Sequence, residues 1–177
     1  MKGGVYYNNS VFLFGGNSSG ADMDLAMKFN LNQNRWVKIP KLISPSDSCS
    51  YALFKDSIFI CGLNHTKLYK YDLNIDSYSG IDIAGVGRQI KKTLVYADSN
   101  LYMIDYNVHW SLSGCIDWAK NTWAHYGYLL LPFFEYSFVK FSKGSIFLWL
   151  TNKSYRTCYA FNIEKRKLEE FSKIEYL

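Results

Sequence analysis

The chain has 177 residues, enough for one hydrophobic core or a compact array of repeats. Because 49% of the residues are hydrophobic and 18% are aromatic, composition excludes a disordered or low-complexity protein, which would lack the apolar surface needed to offset the entropy of ordering. Lys and Arg number 20 against 15 Asp and Glu, and this net charge of +5 predicts a mildly positive surface without a nucleic-acid-binding patch.

Membrane and secretory features are not visible in the sequence. The longest apolar stretch, 128–134, contains Pro132 and is too short to cross a bilayer. The N-terminus carries Lys2 and two glycines where a signal peptide would have an apolar segment. The cysteines form no CxxC pair and are predicted to be buried free thiols of a reducing compartment; they are Cys49, Cys61, Cys115 and Cys158. We therefore expect a cytoplasmic protein with no membrane association.

One eight-residue pattern occurs four times along the chain. Each copy reads large apolar, Asp or Asn, apolar, four mostly polar residues, then a large apolar residue. The copies begin at Phe29, Tyr71, Ile116 and Phe161, at spacings of 42, 45 and 45 residues. A period of this length with strand-like flanks is typical of β-propellers, in which each repeat is one blade. We predict an all-β fold and a single propeller region over 1–177, with repeats at 1–41, 42–83, 84–130 and 131–177.

The first two repeats each predict a four-stranded antiparallel meander. The first repeat predicts strands at 5–7, 11–16, 25–31 and 35–39, with a longer loop at 17–24. The second predicts strands at 48–54, 58–62, 67–73 and 77–83. Strand 58–62 is apolar at successive positions, so both of its faces must be buried. A single sheet cannot bury both faces of a strand, whereas stacked blades can.

The last two repeats follow the same template. The third predicts strands at 93–96, 101–105, 111–118 and 122–128, and the fourth at 136–141, 145–150, 157–163 and 168–174. Taken alone, 164–177 would pass for an amphipathic helix, because Leu168, Phe171 and Ile174 recur at helical spacing. The repeat register instead predicts a hairpin turn at 164–167, and we favour the hairpin because it agrees with the other three repeats.

The first repeat resembles a kelch repeat. Its second strand ends in Gly15 and Gly16, a polar loop follows, and Phe29-Asn30-Leu31 and Trp36 come at the spacing of that family. Later repeats keep less of the glycine pair, with Gly62 alone in the second, and no WD40 signature stands at the required places. The resemblance implies a β-propeller of about four kelch-type blades. Because kelch propellers usually have six or seven, the chain is expected to be part of a longer propeller, an open arc or a four-bladed ring.

The resemblance also implies a binding surface formed by the loops after each second strand and between blades. These loops are 17–24, 44–48, 64–67, 84–91, 107–110, 132–135 and 152–156. The candidate contact residues in them are Arg88, Trp110, His65, His109, Lys153 and Arg156. Arg88 stands where kelch propellers often place an arginine that grips an acidic ligand. The remaining tryptophans on repeat positions are predicted to be core; they are Trp36, Trp118 and Trp123.

Two of these candidates, His65 and His109, fall in corresponding loops of the second and third repeats. They could form a binding or metal pair on one face, or they could simply be two solvent-exposed loop histidines. Arg88 and Trp110 have simpler interpretations too, as a solvated charge and a loop aromatic.

The predicted function is a non-enzymatic protein-binding module, without cofactor or metal, that serves as a substrate-recognition or scaffold part of a larger protein. The expected partner is another protein, engaged through an acidic peptide segment. The sequence shows no paired carboxylates, nucleophile with a base, metal-ligand spacing or phosphate loop. Two alternatives remain: a carbohydrate-acting propeller enzyme similar to galactose oxidase or the sialic-acid-processing kelch enzymes, and a structural array that self-associates through its end blades.

Overall fold

The structure, a computed structural model, describes residues 4–47, 49–62, 65–82, 91–97, 100–106, 110–117, 122–125, 135–142, 145–151, 155–162, 165 and 167–175. Side chains are described for most of the first 82 residues and for a smaller set beyond them, chiefly 93–96 and 100–103. Among these residues, no helix has the length and apolar character needed to span a membrane.

The described residues form four four-stranded antiparallel sheets, each from one consecutive stretch of chain. The first stretch contains β1 (Val5–Tyr7), β2 (Ser10–Phe14), β3 (Asn17–Ser18), β4 (Ala21–Asp22), β5 (Ala26–Asn30) and β6 (Arg35–Lys38). Strands β1, β2, β5 and β6 pair in that order as sheet 1, and β3 pairs with β4 in a separate ribbon. Sheet 2 contains β7 (Cys49–Phe54), β8 (Ser57–Gly62), β9 (Lys67–Asp72) and β10 (Ser77–Asp82).

The last two sheets repeat this meander. Sheet 3 contains β11 (Lys91–Ala97), β12 (Asn100–Tyr106), β13 (Trp110–Asp117) and β14 (Thr122–His125). Sheet 4 contains β15 (Glu135–Ser142), β16 (Ser145–Thr151), β17 (Tyr155–Asn162) and β18 (Lys167–Glu175). The four predicted meanders are therefore confirmed. So is the hairpin at the end of the chain, because Phe161 of β17 pairs with Leu168 of β18.

Strand β2 ends earlier than the sequence predicts. The prediction continued it to residue 16, but Gly15 and Gly16 have φ angles of +68° and +128°, which end the extended strand at Phe14. Residues 17–24, predicted as a loop, contain the ribbon of β3 and β4. Both differences arise because the glycine pair turns the chain out of the sheet.

A first hydrophobic core lies between sheets 1 and 2. Phe12 and Phe14 of β2 pack against Ile58 and Ile60 of β8, and Tyr71 of β9 joins them. Ile58, Ile60 and Tyr71 are each 0% exposed. Full burial of such a side chain contributes about 1.5–3 kcal/mol, so this interface is a principal source of stability.

A second core lies on the opposite face of sheet 2. Phe59 and Cys61 of β8 pack with Leu94 of β11 and with Leu101 and Met103 of β12. The Sγ atom of Cys61 lies 3.9 Å from the Sδ atom of Met103. Every residue of β8 is buried, because its alternate side chains enter different cores. This confirms the prediction that both faces of the strand are covered.

Consecutive sheets meet through their first strands. Strand β1 contacts β7, β7 contacts β11, and β11 contacts β15. At the opposite edge, the fourth strands β10 and β14 of sheets 2 and 3 also touch. The sheets therefore follow one another in chain order with their first strands side by side.

Among the described residues, sheet 1 is covered on one face only, and this corrects one core prediction. Trp36 of β6 occupies a repeat position but is 49% exposed, because no described sheet lies on its side of sheet 1. Trp118 lies outside the described residues, and Trp123 lies in β14 where side chains are not described.

The segment 39–47, which connects sheets 1 and 2 and is here called the connector, packs closely against two glycines. The Gly16 N–H donates to the Ser46 carbonyl at 2.8 Å, and the Ser46 N–H donates to the Met23 carbonyl at 3.1 Å. A Cβ atom added at Gly15 would lie 2.4 Å from the Ser46 carbonyl oxygen, and one added at Gly62 would lie 2.3 Å from Ser46 Oγ. The absence of side chains at these two positions allows the connector to approach both sheets.

Polar side chains at the interface of sheets 1 and 2 are bonded across it. The Tyr51 hydroxyl donates to the Phe14 carbonyl at 2.6 Å, and the Tyr78 hydroxyl donates to the Pro40 carbonyl at 2.8 Å. Burial raises the pKa of Cys49 to about 11 and also raises the pKa values of both tyrosines. These groups therefore stay protonated at neutral pH. Cys49 and Cys61 are free thiols, as predicted, although Cys49 is only half-buried.

We expect Gly15→Ala to destabilise the protein by about 2–4 kcal/mol, because alanine is strained at this positive φ and its Cβ would collide with a backbone carbonyl. Urea unfolding followed by circular dichroism measures the change. Gly80→Ala is the control, since its nearest neighbour would be the Lys67 Cδ atom at 3.4 Å. Equal stability of the two variants would contradict this account of the connector.

We also expect the stability of the wild-type chain to fall between pH 9 and pH 11, and to fall less in Cys49→Ala. The Cys49 thiol has a folded-state pKa of about 11 against an ordinary value of 9.0, so the unfolded chain releases its proton first as pH rises. The stability that depends on the protonated thiol is complete below pH 9, is lost as pH rises to about 11, and amounts to about 3 kcal/mol. Urea unfolding at steps of pH measures it. The tyrosines remain in both proteins, so identical pH slopes would refute the role of Cys49.

Candidate functional site

The two ends of each sheet carry different kinds of connection. Short turns join the strands at one end of sheets 1 and 2, at 8–9, 31–34, 55–56 and 73–76. The longer segments 15–25 and 39–47, together with 65–66, lie at the opposite end. We call this opposite end the long-loop end. By chain order, it is also the end at which β12 leads to β13 in sheet 3.

The first three sheets share one orientation. At the long-loop end, Ser46 lies against both Gly15 of sheet 1 and Gly62 of sheet 2. At the short-turn end, the rings of Phe54 in sheet 2 and Tyr96 in sheet 3 are 4.8 Å apart. Loops from neighbouring sheets are therefore brought side by side at the long-loop end, where a ligand could contact several of them.

The ribbon of β3 and β4 is the most exposed described feature of this end. Residues 17–21 are all exposed, and the turn at its tip has positive φ angles at Ser19 and Gly20. The Asn17 Oδ1 atom accepts a hydrogen bond from the Gly20 N–H at 3.0 Å. A Ser-Gly pair favours this kind of tight two-residue turn. The dipeptide at 19–20 is therefore the feature of the sequence from which the turn could have been predicted.

The base of the ribbon is held by main-chain hydrogen bonds. The Gly15 N–H donates to the Leu25 carbonyl at 2.7 Å, and the Met23 N–H donates to the Gly16 carbonyl at 2.9 Å. Main-chain bonds at both edges restrict the ribbon to one position relative to sheet 1. It is a preformed projection suited to contact a partner at a low cost in conformational entropy.

His65 lies at this end but inside the protein. The side chain is 2% exposed, so the alternative of a solvent-exposed loop histidine is wrong. The Gly62 N–H donates to Nδ1 at 2.9 Å, which places the ring proton on Nε2, where it is donated to the Ser44 carbonyl at 3.0 Å. The ring also meets Tyr69 edge-on at 4.9 Å. His65 therefore joins the connector to sheet 2 and is not part of the exposed binding surface.

Two lysines at the long-loop end are paired with aspartates. Lys41 Nζ lies 2.9 Å from the Asp24 carboxylate, and Lys67 Nζ lies 3.0 Å from the Asp82 carboxylate. These exposed pairs contribute little to stability. Their effect is to neutralise the cations, so these two lysines supply no excess positive charge. The Oδ1 atom of nearby Asp47 is buried without a hydrogen-bond partner among the described residues.

Two predicted contact residues stand in strands and not in loops. Trp110 is the first residue of β13 and pairs with Tyr106, and Arg156 is the second residue of β17 and pairs with Thr151. In both sheets the strands extend into the segments that were predicted as loops, so Trp110 and Arg156 lie at the margins of their sheets. The remaining candidates lie outside the described residues; they are Arg88, His109 and Lys153. Within the described part of the chain, no three His, Cys, Asp or Glu side chains come together.

We expect His65→Ala to lower the free energy of unfolding by about 2–3 kcal/mol, because it removes the buried hydrogen bond from Gly62 and the hydrogen bond to the Ser44 carbonyl that joins the connector to sheet 2. Urea unfolding measures the loss. The neighbouring Thr66 is exposed, so Thr66→Ala is the matched control and should change stability by less than about 0.5 kcal/mol. A His65→Ala variant as stable as the control would show that the buried ring does not secure the connector.

Comparison with known proteins identifies the fold. No family model matches the chain, and no curated protein matches it. The solved structure of YjhT is similar, with a TM-score of 0.66 and 11% sequence identity over 97% of this chain. The match spans 64% of the YjhT chain, so the present protein corresponds to a part of that structure's length. At this identity, the likeness shows a shared all-β fold.

Proposed function

We propose that the chain is a segment of a kelch-type β-propeller that binds another protein through its long-loop end. The observation that carries this proposal is the series of contacts between the first strands of all four sheets, from β1 through β7 and β11 to β15. Blades arranged around a common axis place their first strands together in this way. The glycine pair at Gly15 and Gly16, against which the connector packs, supports the kelch resemblance.

The length of the match to YjhT supports a partial propeller. The four sheets of this protein match 64% of the YjhT chain. A chain of the length of YjhT would therefore hold about six sheets of similar size. Six is within the range expected for kelch propellers. We infer that the four sheets form an arc that other sheets would complete.

Binding at the long-loop end is supported by its construction. A rigid scaffold of stacked sheets carries the loops, and such loops are where repeat scaffolds bind their ligands. The ribbon of β3 and β4 offers small polar side chains at its exposed tip. In the connector, Ile43 is 58% exposed and adds an apolar contact surface.

We propose an acidic peptide as the ligand because of the basic residues that the sequence places in the loops of this end. Because Lys41 and Lys67 are paired with aspartates, the positive charge for such a ligand would come from other residues of this end. By their place in the sequence, these are Arg88, Lys153 and Arg156. Arginine binds a carboxylate through two parallel hydrogen bonds, which makes Arg88 the preferred anchor.

We expect peptides selected from a random display library against the full chain to be rich in Asp and Glu, and Arg88→Ala to weaken their binding at least 10-fold. The loss of one charge-assisted contact, about 1.5–3 kcal/mol, sets this magnitude. Fluorescence polarisation with a labelled peptide measures the dissociation constant.

Arg35→Ala is the matched control for this experiment. Arg35 begins β6 at the short-turn end, where its Nε donates to Gln33 Oε1 at 2.9 Å. The same chemical change there should leave affinity within two-fold of wild type. Selection of no peptide, or equal effects of the two substitutions, would refute binding at the long-loop end.

A further inference from the structure

One row of apolar side chains crosses all four strands on the side of sheet 1 that faces away from sheet 2. Cross-strand pairing aligns Tyr6 with Val11, Val11 with Phe29, and Phe29 with Trp36. In the next row Leu13 pairs with Met27, and Lys38 of β6 completes that row. We call the apolar residues of these rows the outer face of sheet 1: Tyr6, Val11, Leu13, Met27, Phe29 and Trp36.

Much of this outer face is open to solvent. Tyr6 is 60% exposed and Trp36 is 49% exposed, while the other four side chains are half-buried. The rings of Phe29 and Trp36 lie 5.0 Å apart and form a continuous aromatic surface. Contiguous apolar patches on soluble proteins usually mark a contact surface, and here the patch extends across a whole sheet.

The repeats identify what this face is built to contact. Counted from the serine that begins each second strand, Val11 and Leu13 correspond to Ile58 and Ile60 of sheet 2. Those two isoleucines are 0% exposed because sheet 1 covers them. The outer face of sheet 1 therefore corresponds to the face of sheet 2 that packs against sheet 1, but it has no described sheet packed on it.

The aromatic positions follow the same correspondence. Counted along the eight-residue repeat, Phe29 corresponds to Tyr71, which is 0% exposed in the core between sheets 1 and 2. Trp36 corresponds to Tyr78, which packs against that core. A sheet seated on the outer face would give Phe29 and Trp36 the cover that these tyrosines have.

A suitable covering sheet presents apolar residues at the positions of Phe12 and Phe14, since those two cover Ile58 and Ile60. Strand β16 of sheet 4 begins at Ser145, as β2 begins at Ser10. By this register, Phe147 and Trp149 occupy the positions of Phe12 and Phe14. Sheet 4 therefore has the sequence required of the covering sheet.

We propose that the outer face of sheet 1 binds sheet 4 of a second copy of this chain, head to tail. Within a single chain, Tyr6 and Trp36 remain exposed, so the chain's own sheet 4 does not cover them. A contact between two different surfaces of identical chains is heterologous, and its repetition gives a ring where the rotation closes and an open filament where it does not. The proposal rests on sheet stacking and is independent of ligand binding at the long-loop end.

Sedimentation velocity over a range of protein concentrations tests the proposal. The wild-type mass should rise with concentration, and Trp36→Lys and Tyr6→Lys should each weaken association at least 30-fold, because a lysine here would be buried against apolar residues. Both positions are at least 49% exposed in the single chain, so circular dichroism should show that the variants fold. Ile75→Lys is the control: Ile75 is 71% exposed in the turn between β9 and β10 and should behave as wild type.

Mixing variants tests the head-to-tail geometry. A tagged Trp36→Lys chain keeps its own sheet 4, so it should still capture wild-type chains through their outer faces, while its own substituted outer face ends the assembly on that side. Failure to capture wild type would indicate a contact of two outer faces and would overturn the head-to-tail arrangement. A wild-type chain that is monomeric at every concentration, or association that both lysine variants retain, would overturn the proposal altogether.

Discussion

The architecture depends on one constraint, which is that β8 is apolar on both of its faces. A sheet can bury one face of a strand against a partner, but the second face then needs another partner on the other side. Ile58 and Ile60 meet sheet 1, and Phe59 and Cys61 meet sheet 3. When the same meander is repeated and the sheets stack in chain order, both faces of such a strand are buried, and no helix is needed to cover them.

The same constraint distinguishes interior sheets from an end sheet. Sheet 2 is covered on both sides, whereas sheet 1 carries apolar residues at the corresponding positions on a side that no sheet in the described part of the chain covers. The hydrophobic free energy that stabilises the interior interfaces is therefore still available at this end. A stack of sheets is stable where neighbours meet, and an uncovered apolar face tends to associate, which is the general behaviour of repeat proteins.

Repeat periodicity in the sequence predicted the four sheets, the doubly buried strand and the final hairpin, because these depend on local pattern and on register. It misplaced Trp36, because a repeat position implies the same neighbours in every copy, whereas no sheet among the described residues covers this side of the first copy. It also missed the burial of His65, whose partner Ser44 lies 21 residues away and carries no distinctive sequence signal. A main-chain carbonyl that folding brings next to a side chain leaves no pattern in the sequence, whereas apolar side chains that recur at a fixed period do.

The connector links the stacked core to the loops that we propose as the binding surface. The Leu42 N–H donates to the Asp24 carbonyl at 2.9 Å, next to the ribbon, while Ser44 accepts from His65 in sheet 2. The loops of two sheets are thus fixed to each other by the bonds that hold the sheets together. The outer face of sheet 1 lies on the broad side of the sheet, and the long-loop end lies where its strands end. Because these surfaces are separate, a second copy seated on the outer face would leave the loops accessible, and assembly and ligand binding are compatible in one molecule.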